Sequence, residues 1–370
     1  MTVEFEYDAL PGRVVFASGA LARIADEVDR LGVERVLLVA GHGRMDAHGE
    51  QVRTVLGHRC VGWFDEIRVH VPVTLVHKGV AAARSAAADA LVCVGGGSAT
   101  GMAKAIAREL ALPIVAVPTT YSGSEMTPIW GTTSGRRKQT GQDRVVLPRT
   151  VIYDPELTLS MPPGVTGPSG MNALAHCIEA LYAPHANPVT STLAEEGIRA
   201  LAGGLPEVVA HGDDAEARAA VLYGAYLAGA TLAVAGTSVH HKVAHILGGT
   251  WDLPHGPLHA ILLPHTVAFV VPAVPDAIAA AARALGTTDV PGALFDLLRT
   301  LGIPPRLTAI GMPAEAFDQA VDTIVERRPV SPLPVEPGPV AALLRSAFDG
   351  VRPKGAGTPA TWDRTAPPTD

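Results

Sequence analysis

Histidine side chains are concentrated in one stretch of the second half of the chain. Of 14 histidines, six fall between residues 240 and 265. His241 and His245 are four residues apart, which places both on one face of a helix, and His255 follows within a Pro-His-Gly turn. Imidazoles supplied by a helix and a neighbouring loop are ligands that divalent transition metals accept.

Asn172 and His176 repeat the same four-residue spacing further upstream. A second helix therefore presents a short polar side chain and an imidazole on one face. Buried helical histidines that bond to one another or to the backbone are the alternative, and for a single histidine that interpretation is the better one. Five positions with repeated spacing favour a functional cluster.

A glycine-rich turn follows the apolar run Ala90–Val94 and precedes a helix-like segment. It consists of Gly95, Gly96, Gly97 and Ser98. Glycines let a backbone approach a pyrophosphate closely, and the amides at a helix start hold its negative charge. A tight turn with Ser98 as the N-cap is the alternative. The turn does not have the GxGxxG spacing, which disfavours an ordinary Rossmann dehydrogenase.

A second polar segment, Pro118–Glu125, follows the next apolar run. Its Thr119, Thr120 and Ser124 offer hydroxyls and backbone amides that can bind a phosphate or the nicotinamide amide. Taken alone, a loop whose serines and threonines cap their own backbone is the slightly better interpretation.

Short apolar runs that alternate with helix-like stretches must position these turns. The strand candidates are Val14–Phe16, Val36–Val39, Val69–Val73, Ala90–Val94 and Pro113–Val117. Continuous apolar strands separated by helices predict a parallel sheet covered on both faces. Ligands bind beyond the carboxyl ends of such strands, where the glycine and threonine clusters stand.

Beyond residue 160 the pattern becomes helical. Windows with a 3.6-residue period are 169–183, 189–203, 215–235, 238–248 and 275–286, with a last helix near 339–349. The fold class predicted is α/β, with a parallel-sheet dinucleotide-binding domain over 1–160 and an all-helical catalytic domain over 161–352. The proline-rich, weakly apolar segment 353–370 is predicted to be a disordered tail.

Composition narrows the classes of partner. The formal net charge is −7 and no block of basic residues stands out, so no nucleic-acid partner is expected. The three cysteines, Cys60, Cys93 and Cys177, show no paired spacing and predict free thiols in a reducing compartment. The N-terminus lacks a signal-peptide core and apolar runs such as 221–235 are short for a bilayer, so we expect a cytoplasmic protein without a membrane role.

Taken together, these motifs resemble the group III, or iron-containing, alcohol dehydrogenase family over roughly residues 10–350. The segments that carry the resemblance are Gly95–Ser98, Pro118–Glu125, Asp154–Leu157, Asn172–His176 and His241–Gly256. The resemblance implies a dehydroquinate synthase-like fold, an active site in the cleft between the two domains, and a homodimer.

The family's metal ligands would fall at residues 172, 176, 241 and 255. Position 172 is normally Asp, but here it is Asn172, a neutral and poorer ligand for a hard divalent ion. Gly101 likewise stands where the family usually has Asp. Both departures resemble the maleylacetate reductase branch, and they lead to the expectation that Asn172, His176, His241 and His255 are vestigial positions and that no metal is required.

That branch implies a reaction for this chain: reduction of the C=C bond of maleylacetate, or a substituted maleylacetate, to 3-oxoadipate during aromatic-compound degradation. Hydride adds in conjugate fashion, an enolate forms, and a proton is delivered to carbon. We expect His245 to donate that proton, with His241, His255 and His176 lining the pocket.

The substrate is a dicarboxylate, so cations must meet it. Lys242 is the first candidate, and the basic loop residues Arg136, Arg137 and Arg144 are further ones, although a solvated turn is as good an interpretation of that loop.

The expected cofactor is NADH or NADPH. The predicted cofactor-binding residues are Gly41, Gly95, Gly96, Gly97, Ser98, Thr119, Thr120, Ser124 and Lys138. No acid follows the second strand to hold a ribose hydroxyl, and Arg44 nearby can meet a 2′-phosphate, so the preference between the two cofactors stays open.

Three alternatives remain. One is a metal-dependent alcohol, aldehyde or oxo-acid reductase of the same family. Another is a dehydroquinate-synthase-like lyase, which consumes no net NAD. The third is a non-catalytic binding protein on the same scaffold, which the intact Gly95–Ser98 turn and the histidines disfavour.

Overall fold

The computed structural model describes residues 4–10, 12–41, 47–135 and 137–353. The expectations for Arg44, Arg136 and the tail beyond Pro353 therefore lie outside the described residues. The chain divides into two compact units, Met1–Thr237 and Ser238–Asp370.

The first unit contains the predicted parallel sheet. Its strands, in chain order, are β1 (Arg13–Phe16), β2 (Val36–Ala40), β3 (Cys60–Phe64), β4 (Ala90–Gly95), β5 (Ile114–Pro118) and, after the hairpin β6 (Ile129–Ser134) and β7 (Arg137–Gln142), β8 (Thr150–Tyr153). The spatial order is β1-β8-β5-β4-β2-β3 with all pairs parallel. Every residue of β2 and β5 is buried, as the continuous apolar runs predict.

Four helices connect these strands: α1 (Ile24–Leu31), α2 (Ala47–Leu56), α3 (Val73–Ser85) and α4 (Gly97–Leu110). The strand predicted at Val69–Val73 is wrong, because the third strand of the sheet is β3. His70 and Val71 have φ values of 64° and 47°, a left-handed conformation that a strand does not accommodate, and α3 starts at the last residue of the predicted run.

Three long helices complete the first unit: α5 (Pro163–Ala180), α6 (Pro188–Ala210) and α7 (Ala215–Ala235). The loop after β5 packs directly on α7, since a Cβ on Gly123 would lie 3.1 Å from the Gly229 Cα atom. For this reason the compact unit continues to Thr237, whereas the sequence-based domain boundary after residue 160 rests on the change from strands to helices.

All regular secondary structure in the described part of the second unit is helical. Its helices are α8 (Val239–Trp251), α9 (His255–Val270), α10 (Pro275–Leu285), α11 (Val290–Thr300), α12 (Phe317–Arg327) and α13 (Pro337–Asp349). α9 is buried along most of its length and contains Pro264. His265 on this helix is buried beside the Phe295 ring of α11, and burial lowers its pKa to about 4.

Two helical segments of the described chain, Ala215–Ala235 and His255–Ala273, are long and apolar enough to cross a membrane by length and composition. More than half of each is buried inside the protein, 56% and 61% respectively, as in the core helices of soluble proteins. The expectation that the run 221–235 is too short does not apply to the whole of α7, which spans 21 residues.

Candidate active site

The glycine turn joins the carboxyl end of β4 to the first turn of α4. Gly95 has a φ of 141°, which L side chains rarely adopt, and a Cβ there would lie 3.0 Å from the Ala99 Cβ atom. Gly96 is the N-cap of α4, and among the described residues no side chain caps this helix start. The amides of the first turn and the positive end of the helix dipole therefore suit an anion such as a pyrophosphate.

The threonine-rich loop after β5 lies against this turn. Thr119 donates its backbone N–H to the Gly95 carbonyl over 3.1 Å. A Cβ on Gly96 would lie 3.0 Å from the Thr120 Oγ1 and Cγ2 atoms. The two polar segments predicted separately thus form one surface at the carboxyl edge of the sheet.

A buried lysine fixes the far side of that loop. The Nζ atom of Lys104 on α4 donates to the carbonyl oxygens of Ser124 (2.6 Å), Thr127 (2.7 Å) and Ile129 (2.9 Å). Burial lowers the pKa of Lys104 to about 7, and the nearby Glu125 carboxylate acts in the opposite direction. Sequence reasoning did not find Lys104, because nothing in the sequence distinguishes a fully buried helical lysine from a solvated one.

Glu125 ties the loop to the sheet. Its carboxylate accepts hydrogen bonds from Ser122 Oγ at 3.0 Å and from the Tyr153 hydroxyl at 2.9 Å. The side chain is fully buried, and burial raises its pKa.

Asn172 and His176 lie one turn apart on α5 and are both buried. The Asn172 Nδ2 and His176 Nε2 atoms are 3.3 Å apart, and because an amide nitrogen only donates, the imidazole nitrogen accepts. A Cβ on Gly123 would lie 3.8 Å from His176 Cδ2, so this pair adjoins the loop that contains Thr119 and Thr120.

Five histidine rings form a cluster in the second unit, three from α8 and two from α9. These are His240, His241, His245, His255 and His259. His245 and His255 are exposed and their rings stack with centroids 6.1 Å apart, whereas His240, His241 and His259 are buried. The structure therefore brings together the three histidines predicted in this region.

His259 is the member of this histidine cluster that sequence reasoning missed. Its ring centroid lies 4.3 Å from that of His255, 4.6 Å from His241, 5.0 Å from His240 and 6.0 Å from His245. The signal was present in the sequence: His255 and His259, both on α9, have the same i,i+4 spacing as Asn172 and His176 on α5 and His241 and His245 on α8.

The remaining predicted residues lie at the surface or beside the sheet. Lys242 is exposed on α8, and Lys138 is exposed on β7 opposite Thr133 of the hairpin. Gly41 directly follows β2, whose last residue pairs with β4, so it lies at the same sheet edge as the glycine turn. Arg144 pairs with Asp8 over 3.3 Å at the surface.

Two family models match the chain in succession. Residues 11–155 match the iron-containing alcohol dehydrogenase model, and residues 166–348 match the C-terminal model of the Fe-containing alcohol dehydrogenase family. The chain belongs to the iron-containing alcohol dehydrogenase family. It is therefore an oxidoreductase, and the predicted family and fold are confirmed.

Similar proteins within this family are maleylacetate reductases. The enzyme from Burkholderia cepacia is 46% identical over 349 residues, which cover 94% of this chain and 99% of that protein. The enzyme from Sphingobium indicum is 43% identical over 351 residues, covering 95% and 99%. The crystal structure of maleylacetate reductase from Agrobacterium tumefaciens superimposes with a TM-score of 0.92 at 42% identity, covering 95% of this chain and 100% of that one.

Membership of an iron-containing family overturns one expectation from the sequence. The prediction that no metal is required is wrong, because the family implies an iron cofactor. The residues present fit such an ion. Within the second unit, nitrogen atoms of His240, His241 and His259 lie within 4.8 Å of one another. Imidazole nitrogen is a ligand atom that a first-row divalent ion accepts.

Proposed function

We propose that this chain reduces the C=C bond of maleylacetate, or of a substituted maleylacetate, to 3-oxoadipate with NADH or NADPH. The observation that carries the proposal is the similarity to maleylacetate reductases over more than nine tenths of both chains. Asn172 supports the proposal as well, because an asparagine at this position, in place of the family's usual Asp, resembles the maleylacetate reductase branch.

We assign cofactor binding to residues 1–160 and catalysis to residues 161–352. The Gly95–Ser98 turn holds the pyrophosphate with backbone amides of α4, and the adjoining Thr119 and Thr120 hydroxyls orient the rest of the dinucleotide. Gly41, Ser124 and Lys138 complete the proposed cofactor-binding set.

The chemistry assigns the histidines two tasks. Hydride adds to the alkene carbon β to the ketone, and the electron pair moves to the ketone oxygen, where imidazole donors stabilise the enolate. A proton from His245 then reaches the carbon α to the ketone, and solvent reprotonates this exposed ring. A divalent ion supplies positive charge for an oxyanion, and the family resemblance names Asn172, His176, His241 and His255 as the residues that would hold it.

The substrate is a small dicarboxylate, and we assign Lys242 to its carboxylates because it is an exposed cation one position from His241. We further infer that the protein is cytoplasmic, because the spacing of its three cysteines is that of free thiols. By analogy with the family, we infer that it is a homodimer.

Product analysis tests the proposal directly. The purified protein is mixed with maleylacetate and NADH deuterated at the transferred position, and the loss of NADH absorbance is followed. We expect 3-oxoadipate with one deuterium on the carbon β to the ketone, and in D₂O a second one on the α carbon. A hydroxy acid that retains its C=C bond would instead identify a carbonyl reductase, and unchanged NADH would contradict the proposal.

A further inference from the structure

The second unit contains a directed hydrogen-bond chain beneath the histidine cluster. Thr266 Oγ1 lies 3.0 Å from the carbonyl oxygens of both Leu262 and Leu263, and 2.9 Å from His240 Nδ1. A carbonyl oxygen only accepts, so the single hydroxyl proton of Thr266 points to the backbone. His240 Nδ1 must therefore donate its own proton to Thr266 Oγ1.

That assignment fixes the next ring. His240 and His259 are both fully buried, and a neutral imidazole carries its proton on one of the two ring nitrogens. With its proton on Nδ1, His240 accepts at Nε2, and the atom 3.0 Å away is His259 Nδ1, which must donate. His259 is consequently held as the Nδ1–H tautomer, with the lone pair on Nε2.

We propose that His259 is a ligand of a divalent metal ion through Nε2, together with His241, and that His240 and Thr266 are the residues that position it. Nitrogen atoms of His240, His241 and His259 lie within 4.8 Å of one another, but both nitrogens of His240 are committed to the chain. His259 is in addition the ring that contacts all four other members of the cluster.

The arrangement is the one that metal-binding histidines use elsewhere. The nitrogen that does not bind the metal donates to a second group, which sets the tautomer and the ring orientation. Here that second group is a histidine whose own proton is anchored on a threonine. His259 lies outside the ligand set implied by the family resemblance. Its imidazole adds a neutral nitrogen ligand to a chain that has Asn172 in place of an acid.

Metal affinity of the whole protein tests this inference. The inference and the proposed function concern the same histidine cluster. Co²⁺ binding is measured without substrate or turnover, so the result does not depend on which reaction the protein catalyses. Metal-free protein is titrated with Co²⁺, and the visible absorption spectrum reports the ligand set. Thr266→Val removes the acceptor for His240 and should weaken Co²⁺ binding by about 10- to 100-fold. Thr266→Ser keeps the hydroxyl and should remain within about threefold of the parent.

Two further variants separate a ligand from a positioning residue. His259→Gln should weaken binding and also change the Co²⁺ spectrum, whereas His240→Ala should weaken binding and leave the spectrum of the saturated protein unchanged. His211→Ala, at an exposed histidine in the first unit, controls for adventitious binding. An unchanged affinity and spectrum in His259→Gln, or equal losses in Thr266→Val and Thr266→Ser, would overturn the inference while leaving the proposed reaction untouched.

Discussion

The Lys104 Nζ atom lies 2.6 Å from the Ser124 carbonyl oxygen, and it thereby joins the helix that follows the glycine turn to the loop that follows β5. Both segments are predicted to bind the cofactor, and this buried side chain links them in addition to the backbone hydrogen bond from Thr119 to Gly95. The lysine is fully buried, so its replacement leaves carbonyl oxygens that water does not reach.

Lys104→Met is expected to lower the free energy of unfolding by about 3 kcal/mol or more, because three carbonyl oxygens lose this donor and each loss costs about 1–3 kcal/mol. Chemical denaturation monitored by circular dichroism measures this loss. Lys78→Met is the matched control, since Lys78 is exposed and its ion pair with Glu66 contributes about 1 kcal/mol at most. Equal effects of the two substitutions would show that the Lys104 hydrogen bonds contribute nothing beyond a surface ion pair.

The same lysine gives stability a pH dependence. Burial lowers the pKa of Lys104 from 10.5 to about 7, opposed by the charge of Glu125. Between these values the unfolded chain binds the proton and the folded chain releases it, so this group makes the free energy of unfolding rise with pH. The stability difference between the parent and Lys104→Met should therefore grow between about pH 7 and pH 10. A difference that shrinks over this window would contradict the lowered pKa.

Gly96→Val tests the phosphate-binding turn. Gly96 has φ −81° and ψ −166°, which any residue adopts, so the effect comes from space and not from backbone strain. The new Cβ would lie 3.0 Å from Thr120 side-chain atoms, where the turn meets the loop. We expect NADH affinity to fall at least about tenfold, or about 1.4 kcal/mol, in a fluorescence titration. Gly203→Val, at an exposed helical glycine with open space around it, should bind NADH normally.

His245→Ala tests the proton donor. Turnover should fall by about 100-fold or more if the ring transfers a proton in the transition state, while NADH affinity is retained. His245 is exposed, so the fold should survive, and His211→Ala controls for the loss of a surface imidazole. Turnover within a few-fold of the parent would move the assignment to His241.

Asn172→Asp tests the proposed role of this position as a metal ligand. Asn172 is buried against His176, and a negative charge on a ligand attracts a divalent ion; at short range and an effective dielectric near 20 such a Coulomb term reaches several kcal/mol. We expect Fe²⁺ or Zn²⁺ to bind at least about tenfold more tightly by equilibrium dialysis. Asn187→Asp adds the same charge at another buried asparagine, the N-cap of α6, and should leave metal affinity unchanged.

Removal of metal by a chelator should lower the activity of the parent protein, and added metal should restore it.

The sequence predicts the elements that are buried on both sides. The strand at Val36–Ala40 matches its predicted window closely, because burial on both faces imposes an unbroken apolar run. The helix Ala215–Ala235 matches its predicted window as a long stretch rich in Ala and Leu, which favour helices. The glycine turn and the threonine loop were found for a related reason, since each follows a buried strand. Parallel pairing then places both at one sheet edge.

Other features leave no such pattern. In the hairpin β6–β7, β7 is almost entirely exposed and β6 is mostly half-buried, so its polar residues carry little periodicity. α9 is buried on nearly all sides, which removes the contrast between faces that a helical window needs. Spacing alone reports neither the hydrogen bonds of Lys104 to residues 20 to 25 positions away nor the approach of His240 to His259 across 19 positions.

Gly123 and Gly229 also constrain how this protein can be recombined with its relatives. A Cβ on Gly229 would lie 2.9 Å from the Gly123 carbonyl oxygen, and Gly123 itself has a φ of 75°. The loop after β5 and helix α7 therefore pack together only when both positions are glycine, although the two positions are more than 100 residues apart in the chain. A chimera with its crossover near residue 160 takes the two glycines from different parents and fails wherever one parent has a side chain at either position. A crossover after Thr237 keeps the pair together.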